Sequence, residues 1–230
     1  MATIESGALG SLKPKTNNVE KFTLDANKKY RIGFPLLTDD GQGVRIDKVP
    51  FWNKFDDTIK IKTLTTGDDE FDSKVSKVLG SPVVRYATPV VIYETDDNGT
   101  VSKPLRYKLM PFVFSDGTLA DLISINSEFP LHEHDVTMTL KSGSDPKYQN
   151  MVPLPTSKEA IWKNEKIIGD ITDKAKQMIE SGVLYEAVAK KMSQDDLAVK
   201  LGLNESKNAN QQNTPDDDLV EVDIDIDSIV

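Results

Sequence analysis

Between residues 22 and 155 apolar side chains recur at alternate positions, in short runs separated by turn-forming residues. A period of two is the mark of a strand, because successive side chains leave the backbone on opposite sides. In residues 28–37, Tyr30, Ile32, Phe34 and Leu36 share one face. Residues 44–52 continue the pattern through Val44 and Ile46. Residues 58–64 put Ile59 and Ile61 on one face and Lys60 and Lys62 on the other. Residues 83–94 form a long β-branched run that ends at Asp96-Asp97-Asn98-Gly99. Asn-Gly is a strong hairpin signal, since both residues tolerate positive φ. The return strand is expected over 101–114, and a further short strand over 136–140.

Helical spacing is sparse before residue 155 and common after it. Ser115 or Asp116 caps a short expected helix through Asn126, with Leu119, Leu122 and Ile123 facing inward. Residues 161–168 are expected to be helical. Residues 170–192 space Ile171, Ala175, Met178, Ile179, Leu184 and Val188 for one helix face, with Gly182 dividing them. Ser193 opens a last helix, with Asp196 three residues on, and Gly202 ends it. The expected fold is mainly β, an OB-fold-like small Greek-key barrel, with a C-terminal helical segment and a disordered acidic tail. A β-sandwich is the alternative. Four regions follow: a flexible arm over 1–20, an OB-like core over 21–155, a helical segment over 156–204, and a linker with acidic tail over 205–230.

Charge is unevenly spread. The formal net charge is −9, which alone argues against a phosphate ligand. Seven acids and no basic residue lie in residues 215–230, which leaves −2 for all that precedes them. These acids are Asp216, Asp217, Asp218, Glu221, Asp223, Asp225 and Asp227. They alternate with Val220, Val222, Ile224 and Ile226, and Ile229 and Val230 close the chain. Such a segment repels itself too strongly to fold alone, yet suits a basic, apolar-lined groove on a partner, or the protein's own basic groove in competition with DNA.

Basic and aromatic residues interleave on the expected strands. Lys28, Lys29 and Arg31 lie on the first, and Arg45, Lys48, Phe51, Trp52 and Lys54 on the second. Arg85, Tyr86 and Tyr93 lie on the third, and Arg106, Tyr107 and Lys108 on the fourth. Single-stranded nucleic acid is held by this combination: cations follow the phosphates and rings stack on bases. Trp52, beside Phe51 and Lys54, is the foremost stacking candidate, whereas Tyr30 and Phe34 are expected in the core. Other chemistry has little to stand on. The chain has no cysteine, which removes disulfides, thiol catalysis and thiolate zinc sites. His132 and His134 flank Glu133 without an identifiable third ligand. Asp68, Asp69, Glu70 and Asp72 read as a solvated acidic loop. No phosphate-binding glycine loop or nucleophile motif is visible, so no enzyme activity, metal or cofactor is expected. No secretory signal or membrane span is visible, and a cytoplasmic location is expected.

The opening strand at residues 29–34, the long strand at 85–93, the Asp/Asn/Gly hairpin, Leu105-Arg106-Tyr107-Lys108-Leu109, a short helix and the strand at 135–141 form a recognisable layout. It resembles the single-stranded-DNA-binding, helix-destabilising proteins of large tailed phages of the T-even type. The resemblance covers roughly residues 22–155 and the tail. It implies an OB-fold core that binds single strands without sequence preference, with Arg85, Tyr86, Tyr93, Arg106, Tyr107 and Lys108 on its strands. It implies a tail that recruits replication and recombination proteins inside an infected bacterial cell. The chain departs from that type in lacking the cysteines of its structural zinc, and in offering only Lys13 and Lys15 as cations in its first 20 residues. The expected function is non-catalytic protection of single-stranded DNA. The alternatives are a transcription cofactor that binds an RNA polymerase, and a structural or scaffold protein.

Overall fold

The computed structural model describes residues 19–25, 28–41, 43–96, 98–141 and 150–203. Residues 1–18 of the expected arm, and the linker and acidic tail with its candidate partner-binding residues 216–230, lie outside them. The chain divides into two compact units, Met1–Met192 and Ser193–Val230.

In the first unit the strands are β1 (Lys29–Gly33), β2 (Asp47–Phe55), β3 (Lys60–Leu64), β4 (Val83–Tyr93), β5 (Tyr107–Phe114), β6 (His134–Lys141) and β7 (Asn150–Ser157). All pair antiparallel, in the order β3-β2-β4-β1-β6-β7, with β5 also on β4. The ladder is a seven-stranded sheet that does not close. The fold is therefore mainly β with helices, as the alternation predicts.

β4 organises this sheet. Its first half pairs with β2, from Val83 opposite Phe51 to Ala87 opposite Asp47, and its end pairs with β1 through Val91, Ile92 and Tyr93. Its other edge pairs with β5 from Tyr86 to Tyr93. Pro89 sits where β4 passes from β2 to β1, opposite Pro111 of β5. Neither proline has an N–H to give, so this pair can stand only where no ladder bond joins the two. The Pro111 carbonyl instead accepts from Phe22 N at 2.8 Å, which fastens residues 19–25 along the outer edge of β5. In the gap on the other edge, the Thr88 hydroxyl donates to the Arg45 carbonyl at 2.7 Å.

Both faces of the sheet are covered, which explains the continuous β-branched run in β4: Ala87, Val90 and Val91 are all fully buried. On one face Ile32, Val90, Phe112, Phe114, Val136 and Met138 pack with Phe22, Leu122 and Leu131. On the other, Val49, Phe51 and Ala87 meet Leu184, Val188 and Ala189, while Val91 and Tyr93 meet Ile161 and Ile171. The helices are α1 (Asp69–Leu79), α2 (Asp116–Glu128), α3 (Glu165–Glu180), α4 (Val183–Glu186) and, in the second unit, α5 (Gln194–Leu201). Gly182, at φ +79°, separates α3 from α4, and the Ser193 hydroxyl caps α5 by accepting from Asp196 N at 3.1 Å. Among the described residues no helix is long and apolar enough to cross a membrane.

Three local expectations change. The acidic stretch 68–72 is not a loop: Asp68 caps α1, accepting from Phe71 N at 3.0 Å, and Asp69, Glu70 and Asp72 occupy its first turn, where the helix dipole favours carboxylates. Ile123, expected to face inward, is 61% exposed, while Leu122 is buried as expected. Residue 155 falls inside β7, an edge strand whose Pro153 and Pro155 suppressed the strand signal. Prolines suit such an edge because they discourage further pairing.

Gly33 is the most closely packed glycine among the described residues. A Cβ there would lie 2.6 Å from Trp162 Cζ2 and 2.7 Å from Asp135 Oδ1. Gly33→Ala is expected to destabilise the fold by about 1–3 kcal/mol through overpacking, read as a lower urea midpoint at unchanged slope.

Candidate nucleic-acid interface

The predicted site residues divide sharply once the sheet is folded. Trp52 is 1% exposed and belongs to the core, as does Phe51. In β2 the two alternate, but both faces are covered, so neither ring can stack on a base. This corrects the foremost stacking candidate. Tyr93 is likewise buried.

Arg31 is withdrawn from the surface by a buried polar cluster. Asp135 of β6 has no exposed surface and is joined from several elements at once. Trp162 Nε1 donates to it at 3.0 Å and Glu159 N at 3.0 Å, and Arg31 Nε lies 3.5 Å away. Arg31 also pairs with Glu159 and donates to the Ser157 carbonyl, and its guanidinium lies 5.7 Å from the Tyr93 ring centre. Trp162 Nε1 stands 2.6 Å from the Tyr93 hydroxyl. Burial pushes the Asp135 carboxyl up from its ordinary range, opposed by the donation from Glu159 N and by the Arg31 charge. The Tyr93 hydroxyl is pushed up by burial first and by Asp135 second. These groups hold the fold together and cannot meet phosphate.

Other predicted cations have internal work. Lys54 donates to the Val78 carbonyl at 3.0 Å, in the last turn of α1, where a cation complements the helix dipole. Arg45 bonds Asp47 at 3.1 Å, and Asp47 also accepts from the Tyr185 hydroxyl at 2.9 Å. Tyr86 stacks on Phe114 with ring centres 6.1 Å apart, and its bond to Asp116 raises its pKa. Lys48 is exposed beside Val49, Pro50, Tyr185 and Lys191. Lys29 is exposed at the start of β1, with its stem against Gly99. His132 Nε2 faces Glu133, and His134 Nδ1 faces the Pro130 carbonyl.

What remains, apart from Arg85 opposite Val49 on β4, gathers in one groove of about 780 Å³. Its walls are residues 20–23 with Asp25, the start of β1, the end of β4 and the start of β5. Lys28, Arg106, Tyr107 and Lys108 line it, together with two residues outside the predicted set, Lys21 and Tyr30. Tyr107 is 36% exposed and the Arg106 side chain 70%. Lys28 Nζ lies 5.2 Å from the Tyr30 ring centre. The groove also holds Glu20, Asp25 and Glu94. Asp25 accepts from the Tyr30 hydroxyl at 2.6 Å, and Glu94 stands 3.8 Å from Arg106. Lys21 was legible in principle: Phe22 and Leu24 alternate with it, so an added strand placing Lys21 outward could have been read. No protein-family model and no curated protein matches this chain.

Arg31→Ala is expected to cost about 3–5 kcal/mol, the scale for breaking one side of a buried ion pair, and Trp52→Ala a similar amount. Urea unfolding measures both losses.

Proposed function

We propose that the protein is a non-catalytic binder of single-stranded DNA, and that the strand lies in the groove between residues 20–25 and the β4–β5 ends. The observation that carries this is the convergence of Lys21, Lys28, Arg106 and Lys108 with the part-exposed rings of Tyr30 and Tyr107 in one concavity. Four cations can follow a phosphate backbone while Tyr107 offers a π-face that any base can use. Asp25 and Glu94 orient two of these groups, holding the Tyr30 hydroxyl and approaching Arg106.

The sharing of one edge of β4 by β2 and β1 in an all-antiparallel sheet is what supports an OB-like Greek-key relation for this fold. The role proposed is protection of single strands in phage replication and recombination, with the acidic residues 215–230 recruiting partner proteins. That part rests on charge segregation and on the resemblance of the strand layout to the phage helix-destabilising proteins.

Fluorescence anisotropy of labelled oligo-dT tests the reading. Binding should weaken linearly in log–log form as salt rises, because phosphate contacts release counterions. Tyr107→Ala should cost about 1–3 kcal/mol of binding, the value of one stacked base. Arg106→Gln with Lys108→Gln should lower both affinity and salt slope. Absence of oligo-dT binding at low salt, with residues 215–230 present or deleted, would sink the proposal.

A further inference from the structure

Lys21 lines a second concavity as well as the groove. This one is about 340 Å³, and its other walls are Val19, Lys62 of β3 and the stretch from Glu186 to Lys190. The chain is held rigidly here. Leu64 N donates to the Lys190 carbonyl at 3.3 Å, and Met192 N to the Thr63 hydroxyl at 3.0 Å, so residues 190–192 run fixed along the free edge of β3. That fastening puts the Lys190 side chain on the same rim as Lys62.

The register brings a further cation close. Lys62 stands opposite Asn53, and Leu64 opposite Phe51, so Lys62 shares a face with Phe51, and its Nζ lies 5.7 Å from that ring centre. Arg85 stands opposite Val49, and Val83 opposite Phe51, which puts Arg85 on that face too. Among the described residues none of Lys21, Lys62, Arg85 and Lys190 forms an ion pair. Glu186 is the acid on the wall. The charges are close enough to interact: the Lys62 ammonium is pushed below its ordinary pKa, first by burial and then by Lys21 and Arg85. Like charges kept together without a counterion favour an anion between them.

We infer that this concavity is a second phosphate position for the same single strand, with Lys62 and Lys190 on its walls, Arg85 on the same face of the sheet as Lys62, and Lys21 joining it to the groove. The inference rests on the single-strand reading, and it adds Lys62 and Lys190 to the interface. A lone carboxylate or phosphate would need only one of the two concavities. A polyanion uses both, because Lys21 lines each and the strand can pass from one to the other.

The test uses the full-length protein with two oligo-dT probes, one only long enough for the groove and one long enough for both concavities. Lys62→Gln with Lys190→Gln should weaken the long probe several-fold and reduce its salt slope by about 0.7 for each phosphate no longer neutralised, leaving the short probe unchanged. Both residues lie at the surface, so the double variant should stay folded, read as a cooperative thermal transition. On methyl-labelled lysines, NMR titration should show the Lys62 pKa rising when the long probe binds. A wild-type slope for the long probe in this double variant, or a Lys62 pKa unmoved by it, overturns the inference. The groove reading fails separately: Arg106→Gln with Lys108→Gln would then leave the short probe bound as in wild type. A wild-type protein that binds neither probe overturns both.

Discussion

The buried carboxylate of Asp135 is the interaction on which the rest of this structure depends. A carboxylate taken wholly from water costs several kcal/mol unless charge and hydrogen bonds replace its hydration. Its partners here come from separate parts of the chain: the Arg31 charge on β1, and hydrogen bonds from the Glu159 backbone after β7 and from Trp162 in the turn before α3. No one of them suffices, so the centre of the sheet and the first part of the helical layer must form together. Gly33 leaves the room that this closure needs, since any side chain there would strike both Trp162 and Asp135.

That cluster also decides which residues can meet a ligand. It draws Arg31 and Tyr93 inward, one of the cations and one of the rings that a sequence reading assigns to DNA. The surface is left to residues at strand ends. Lys28 lies just before β1 and Arg106 just before β5, and Tyr107 and Lys108 open β5. The proposed interface is thus a rim property of the sheet. The adjoining segment 19–25, held by one backbone bond to Pro111, completes it and links it through Lys21 to the cations around Lys62.

Much of the fold was legible because local physics wrote it twice. Alternation located β1 to β6, Gly182 and Ser193 marked helix boundaries, and each was also where the backbone needed that residue. α1 and β7 escaped for opposite reasons. The acids of α1 look like a solvated loop until Asp68 is recognised as a cap with Phe71, Val75 and Val78 following. In β7 two prolines hide a strand, because an edge tolerates the loss of N–H donors that a central strand would not.

The sequence by itself determined the strand periodicity, the helix punctuation and the segregation of negative charge into residues 215–230. Each of these depends on neighbours along the chain. Tertiary structure alone decided which cations and rings are free. Period two says that Phe51 and Trp52 point to opposite faces, but not that both faces are covered. Nor can spacing show that Arg31 meets an acid from β6, or that Lys21 and Lys62, forty-one positions apart, gather around one concavity. Burial and charge pairing are set by neighbours distant in sequence, and those neighbours define the site.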